Sequence, residues 1–122
     1  MALFETGDFK LHSGGSSSFK IDCDALTDED WQTLAKIISD RFRFGKVVGI
    51  PTGGLKLAEA LEPYISEGEK RILFVDDVLT TGGSMREMRA KWGGTGFGVV
   101  VFARGKCPYW IIPMFSMSAG FW

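Results

Sequence analysis

Apolar positions change their spacing along the chain. Trp31, Leu34, Ala35, Ile38 and Phe42 recur every three or four residues, which predicts one buried face of a helix. Thr27-Asp28-Glu29-Asp30 precedes them and is close to a capping box, with acids at the positive helix end. Gly45 marks where that helix stops. Residues 46–50 (KVVGI), 71–75 (RILFV) and 99–103 (VVVFA) are short apolar runs without that spacing. The run in RILFV suits a strand covered on both faces, as in a parallel sheet. Residues 55–61 (LKLAEAL) and 84–92 (SMREMRAKW) read as helices between these strands, with Pro63 limiting the first. The rhythm from 46 to 103 is therefore βαβαβ, with a parallel sheet and right-handed crossovers expected. Residues 9–11 and 18–22 read as two short strands around the polar turn HSGGSS. The aromatic stretch 107–122, with two prolines, reads as an edge strand plus irregular packing.

Composition narrows the class. A chain of 122 residues has room for about one domain with a real core, and it shows no repeats or domain linker. A formal charge of −1 gives no electrostatic reason to expect nucleic acid or an anionic membrane as partner. No apolar run approaches the roughly 20 residues needed to span a bilayer. The start, MALFETGDFK, lacks the basic and apolar blocks of a signal peptide. Cys23 and Cys107 stand far apart with no CxxC and no nearby His, which argues against zinc and a disulfide framework. The expectation is a reduced, cytoplasmic protein. Many of the 16 glycines sit in pairs, at 14–15, 53–54, 82–83 and 93–94, where backbone must turn or approach something closely.

Ligands of open α/β sheets bind beyond the carboxyl ends of the strands. Two loops are predicted there: PTGG after Ile50, and DDVLTTGGS after Val75. Thr80, Thr81, Gly82, Gly83 and Ser84 lead into a helix, whose first N–H groups and partial positive charge favour an anion. By its chemistry this is a phosphate cradle. Asp76 and Asp77 only accept hydrogen bonds when ionised, which suits sugar hydroxyls or a hydrated Mg²⁺. A turn-forming Asp pair and a capped helix start are the bland alternatives for either piece alone. Two familiar phosphate motifs do not fit. Gly49 and Gly54 have P-loop spacing, but Leu55 stands where the lysine belongs. Gly94-Thr95-Gly96 precedes a strand rather than following one.

Residues 72–84, ILFVDDVLTTGGS, resemble the phosphoribosyl pyrophosphate (PRPP) signature of type I phosphoribosyltransferases. GIPTGGLKLAEAL, residues 49–61, resembles that family's pyrophosphate loop and the helix after it. FKLHSGGSSSFKIDCDAL, residues 9–26, resembles the base-binding segment of the orotate phosphoribosyltransferases. The three segments come in the family's order. The resemblance implies a type I phosphoribosyltransferase fold: an open, mainly parallel sheet flanked by helices, with a small N-terminal hood. Residues 1–26 would be the hood, 27–106 the α/β core and 107–122 a C-terminal packing segment. It implies that a base nitrogen displaces pyrophosphate from the ribose C1 of PRPP, with Mg²⁺ as cofactor, through an oxocarbenium-like transition state. Orotate or a related pyrimidine would be the base. Carried over by position, Asp76 and Asp77 would hold the ribose hydroxyls and stand as candidate Mg²⁺ ligands, the ion coming with the substrate. Thr80, Thr81, Gly82, Gly83 and Ser84 would hold the 5′-phosphate. Thr52, Gly53 and Gly54 would hold pyrophosphate through backbone N–H groups. Lys56 would add charge there, or be a solvated helix lysine. His12, Phe19 and Lys20 would face the base, with a solvated turn as the alternative for His12.

The chain departs from the family pattern in one large respect. A strand and a long mobile loop usually separate the pyrophosphate loop from the PRPP strand, and here only EPYISEGEKR (62–71) fills the gap. Its sole bases are Lys70 and Arg71, so the usual closing lid is missing. Arg104 and Lys106 are candidates to replace that charge, or are surface residues. Ser17-x-x-Lys20 and Asp22-x-Asp24 lack the rest of a nucleophile motif or a calcium loop. The aromatics Phe97, Phe102, Tyr109, Trp110, Phe115, Phe121 and Trp122 read as core or subunit interface, and a homodimer is expected. Two functions follow: a compact orotate-type transferase, or a PRPP- or nucleotide-binding regulatory module that has lost turnover.

Overall fold

The structure, a computed structural model, describes residues 2–10 and 16–117. Strands β1 (Phe4–Lys10) and β2 (Ser16–Ile21) form an antiparallel hairpin whose register shifts between Thr6 and Phe9. The first strand starts at Phe4, earlier than the expected residue 9, because tertiary contacts extend it. The Asp22 N–H donates to the Leu3 carbonyl (2.6 Å), and the Phe4 ring meets Phe102 edge-on at 5.6 Å. One helical turn, Cys23–Ala25, leads to α1 (Asp28–Arg41). The capping box is present: the Thr27 hydroxyl accepts from the Asp30 N–H (3.1 Å), and the Asp30 carboxylate accepts from the Thr27 N–H (2.9 Å). Trp31, Leu34, Ala35 and Ile38 are buried, the face that the spacing predicts.

The main sheet has four strands in the order β3 (Lys46–Gly49), β4 (Ile72–Leu79), β5 (Phe97–Ala103) and β6 (Ile111–Ser116). All neighbours are parallel. Helix α2 (Leu55–Leu61) follows β3, and α3 (Gly83–Lys91) follows β4. Leu73, Phe74 and Val75 are fully buried, contributing about 1.5–3 kcal/mol each and holding β4 firmly in the middle of the molecule. Asp76 and Asp77 belong to this strand, whereas the sequence suggests a loop. Pairing of Val78 with Phe102 and of Leu79 with Ala103 carries the ladder past them.

The two helices lie on opposite faces. Leu57, Ala60 and Leu61 of α2 pack with α1, Leu73, Val75, Val99 and Val101. Met85 of α3 packs with Phe74 and Val100 on the other side. Both crossovers advance in the same direction across the sheet, so they must have opposite hands. This corrects the expectation of two right-handed units, which is the common geometry. The cause is the short 62–71 connector: α2 is held on the α1 side, yet the chain returns directly to the strand beside β3. The β5–β6 link, residues 104–110, is shorter than the dozen or more residues usual between parallel strands. It crosses the α3 face as an irregular segment ending in a turn, burying Trp110 and packing Cys107 there. The tail thus supplies the expected edge strand. Phe102 and Trp110 are buried, Tyr109 and Phe115 are exposed, and Phe121 and Trp122 lie outside the described residues. No helix among the described residues is long and apolar enough to cross a membrane.

Candidate functional site

At the carboxyl end of the sheet a cleft of about 700 Å³ opens between the β1–β2 hairpin and the ends of β3, β4 and β5. Pro51, Gly53, Asp76, Asp77, Thr80 and Ser84 form its floor, and Lys10, Lys20 and Arg104 line the hairpin side. A smaller hollow of about 50 Å³ continues from it, lined by residues 78–85 with Asp76. Five of the predicted residues therefore share the cleft on the body side: Gly53, Asp76, Asp77, Thr80 and Ser84. Thr81, Gly82 and Gly83 line the adjoining hollow. Lys20 comes to the cleft from β2.

The loop after β3 is fixed by packing. The Ile50 N–H donates to the Val75 carbonyl (2.9 Å), which ties the loop to β4. A Cβ at Gly54 would overlap that same carbonyl and come within 2.7 Å of the Ile50 nitrogen. A Cβ at Gly53 would overlap the Asp77 carboxylate. The Pro51–Thr52 peptide is cis. The Gly54 N–H donates to the Ile50 carbonyl (2.8 Å), so it is not available to an anion, contrary to the expectation for this residue. Among the described residues the N–H groups of Thr52 and Gly53 make no such bond. Lys56 lines a separate depression with Asp28, Trp31, Gln32 and Glu59, away from the cleft.

The loop after β4 is shaped differently. Gly82 takes the left-handed conformation, φ 82°, that turns the chain into α3. The Gly83 N–H approaches the Thr81 hydroxyl at 3.4 Å, and no side chain caps α3 among the described residues. Its first turn lines the hollow, the arrangement that suits a phosphate. On β4, the Asp77 N–H donates to the Asp76 carboxyl (2.8 Å), and the Val78 N–H to the Asp77 carboxylate (2.7 Å). Burial pushes the Asp76 carboxyl up to about 8, and the hydrogen bond and charge of Asp77 add to the rise. Two adjoining carboxyls on the cleft floor can accept hydrogen bonds from a diol or face a cation. Burial, then the charge of Asp77, pushes the Cys23 thiol up to about 12, so it stays protonated and is no nucleophile near neutrality.

The sequence leaves Arg104 open between lid charge and solvated surface; the structure buries it in the cleft lining, so it is not solvated surface. Only 8% exposed, it donates to the Ser17 hydroxyl and to the Phe19 carbonyl, both at 2.9 Å, and its guanidinium lies 4.1 Å over the Phe19 ring. Phe19 is thus engaged beneath Arg104 and does not line the cleft. Lys10, Asp8 and Phe9 do line it and were not singled out. Their signal was the hairpin itself, since cross-strand pairing sets Lys10 against Ser16 and Phe9 against Ser17. His12 lies outside the described residues. Lys70 and Arg71 precede β4, at the opposite end of the sheet from the cleft, and the Arg71 guanidinium donates to Glu69 and to the Arg43 carbonyl.

No family model matches the sequence, and no curated protein matches it. Solved structures do match in shape. The UMP synthase of Leishmania donovani superposes with a TM-score of 0.75 at 20% identity, over 94% of this chain and 34% of that one. This chain therefore spans about a third of that protein's length. The orotate phosphoribosyltransferase from Aeropyrum pernix gives 0.75 at 22% identity, over 94% and 88%. That of Mycobacterium tuberculosis, in complex with Fe(III) dicitrate, gives 0.65 at 14%, over 93% and 89%. The chain has the type I phosphoribosyltransferase fold. In shape it is similar to these orotate phosphoribosyltransferases.

Proposed function

We propose that the protein transfers ribose 5-phosphate from PRPP to a nucleobase, orotate or a related pyrimidine, with release of pyrophosphate. The observation that carries this reading is one cleft in which the Asp76–Asp77 pair adjoins both the uncapped start of α3 and Gly53. The start of α3 binds the 5′-phosphate, with Thr80, Thr81 and Ser84 as hydroxyl donors. Asp76 and Asp77 accept the ribose hydroxyls, which orients C1 toward the hairpin side of the cleft. The N–H groups of Thr52 and Gly53 receive pyrophosphate. The donor set suits Mg²⁺: two carboxylates with substrate oxygens are the usual company of this ion. When bound, the ion would neutralise charge on the departing pyrophosphate. Developing positive charge on the ribose meets the Asp pair, the kind of preorganised stabilisation that lowers such barriers. The exposed Phe4, Ile37 and Phe115 border an apolar groove and support pairing with a second copy, which sedimentation would test.

The test is pyrophosphate release from PRPP and Mg²⁺ with orotate, uracil and purines supplied in turn. Release with one of them is expected. Silence with every base, at high enzyme concentration, would sink the reading. A second reading, a PRPP- or nucleotide-binding regulatory module, is favoured by the position of Lys70 and Arg71, far from the cleft. It predicts that PRPP raises Tm without forming product. Both readings fail if Asp76→Asn and Asp77→Asn leave that rise unchanged.

A further inference from the structure

The β1–β2 hairpin covers the cleft, yet it has little of its own to hold it there. Two-stranded hairpins are at best marginally stable in water. Most of β1 is exposed. At its root the hairpin is joined to the body by the Phe4–Phe102 contact, by Ile21, which packs against the main core, and by the turn at Cys23–Ala25. Toward its far end it meets Arg104. Arg104 stands just past β5, where its backbone N–H donates to the Leu79 carbonyl (2.9 Å). It grips β2 by one side-chain acceptor, one backbone acceptor and one ring face. A planar fork with several donors can make all three contacts at once, which a lysine cannot.

We propose that Arg104 is a positioning residue that pins the hairpin over the cleft. By holding β2 it sets Lys20, and through the β1 pairing Lys10, opposite the Asp76–Asp77 pair. The wall that faces the base end of a ligand is thereby built by a residue whose contacts run to the protein. The phosphate hollow, made by residues 78–85, does not depend on it. The effect on ligands rests on the function proposed above; the pinning itself does not.

The experiment separates the two. Amide hydrogen exchange is followed in the ligand-free protein, wild type against Arg104→Met, Arg104→Lys and Ser17→Ala. Exchange in Ser16–Ile21 should quicken roughly tenfold or more in both Arg104 variants, and less in Ser17→Ala, while β4 and β5 stay protected. Unchanged exchange in Ser16–Ile21 overturns the proposal. Calorimetry then compares ribose 5-phosphate with uridine 5′-monophosphate. Arg104→Met should leave the first within about twofold and weaken the second roughly tenfold, with Ser17→Ala weakening it about threefold. If Arg104→Met weakens the nucleotide while Ser17→Ala changes neither exchange nor affinity, Arg104 acts by touching the ligand and the positioning role is wrong. If wild type binds neither probe but exchange quickens as expected, the pin stands and the proposed function falls.

Discussion

The two loops at the carboxyl end of the sheet both carry a glycine pair, and the pairs are there for different reasons. In the loop after β3 the glycines are required by what presses on them: the Val75 carbonyl behind Gly54 and the Asp77 carboxylate behind Gly53. In the loop after β4 one glycine is required by backbone conformation, and the other sits in near-open space, with the Thr81 hydroxyl 3.6 Å from where a Cβ would stand. The first loop is moulded by its neighbours and the second by its own dihedral angles. The same dipeptide thus records two kinds of constraint.

Alanine substitutions separate them. Gly54→Ala should be the most damaging, because a backbone carbonyl cannot step aside. A loss of about 3 kcal/mol or more is expected in urea denaturation, and a loss below ~1 kcal/mol would mean the loop is less confined than described. Gly53→Ala meets a side chain that can rotate, so about 1–2 kcal/mol is expected. Truncating the obstacle in Gly53→Ala/Asp77→Ala should recover part of it, giving a coupling energy in a double-mutant cycle. Additive losses would refute the contact.

The carboxyl pair beside that contact gives a pH test. The folded-state pKa of Asp76 is raised, so its contribution to stability is fully present below the unfolded value near 4 and is lost as pH rises through about 8. Tm of the ligand-free protein should therefore fall by a few degrees between pH 5 and 8.5, and the fall should flatten in Asp76→Asn. An identical slope in that variant would contradict the assignment. Gly82→Ala places a Cβ on a left-handed residue and should cost about 1 kcal/mol. Gly83→Ala should stay within about 0.5 kcal/mol, and a larger loss would erase the contrast between the loops.

Much of the core was legible because local and global signals agree there. The apolar runs at 72–75 and 99–103, the Thr27–Asp30 cap and the helix spacing of residues 31–38 became what they suggest, although the helix ends at Arg41, before Phe42 and Gly45. The cleft was half legible. Asp76, Asp77 and residues 80–84 follow one another in sequence, so a motif could show them. Other features depend on partners distant in sequence. Strand β4 runs on through the acids only because β5 is long enough to pair with it. Arg104 looks like surface in the string ARGK until β2 is laid against it. Lys56 sits beside the pyrophosphate-like loop in sequence, yet helix rotation turns it to a different depression. The opposite hands of the two crossovers have no local signature at all.

The packing of Gly53 on Asp77 has a consequence for how the two halves of the cleft communicate. A loop and a carboxylate packed this closely shift together more readily than apart, so they act as one element with two ends on the cleft. An occupant that repositions the carboxylate changes the free energy of filling the loop. By thermodynamic reciprocity, filling the loop changes the affinity at the carboxylate by the same factor. Under the proposed function, binding at the two ends would therefore be coupled, and the absent side chain at position 53 is where that coupling is set.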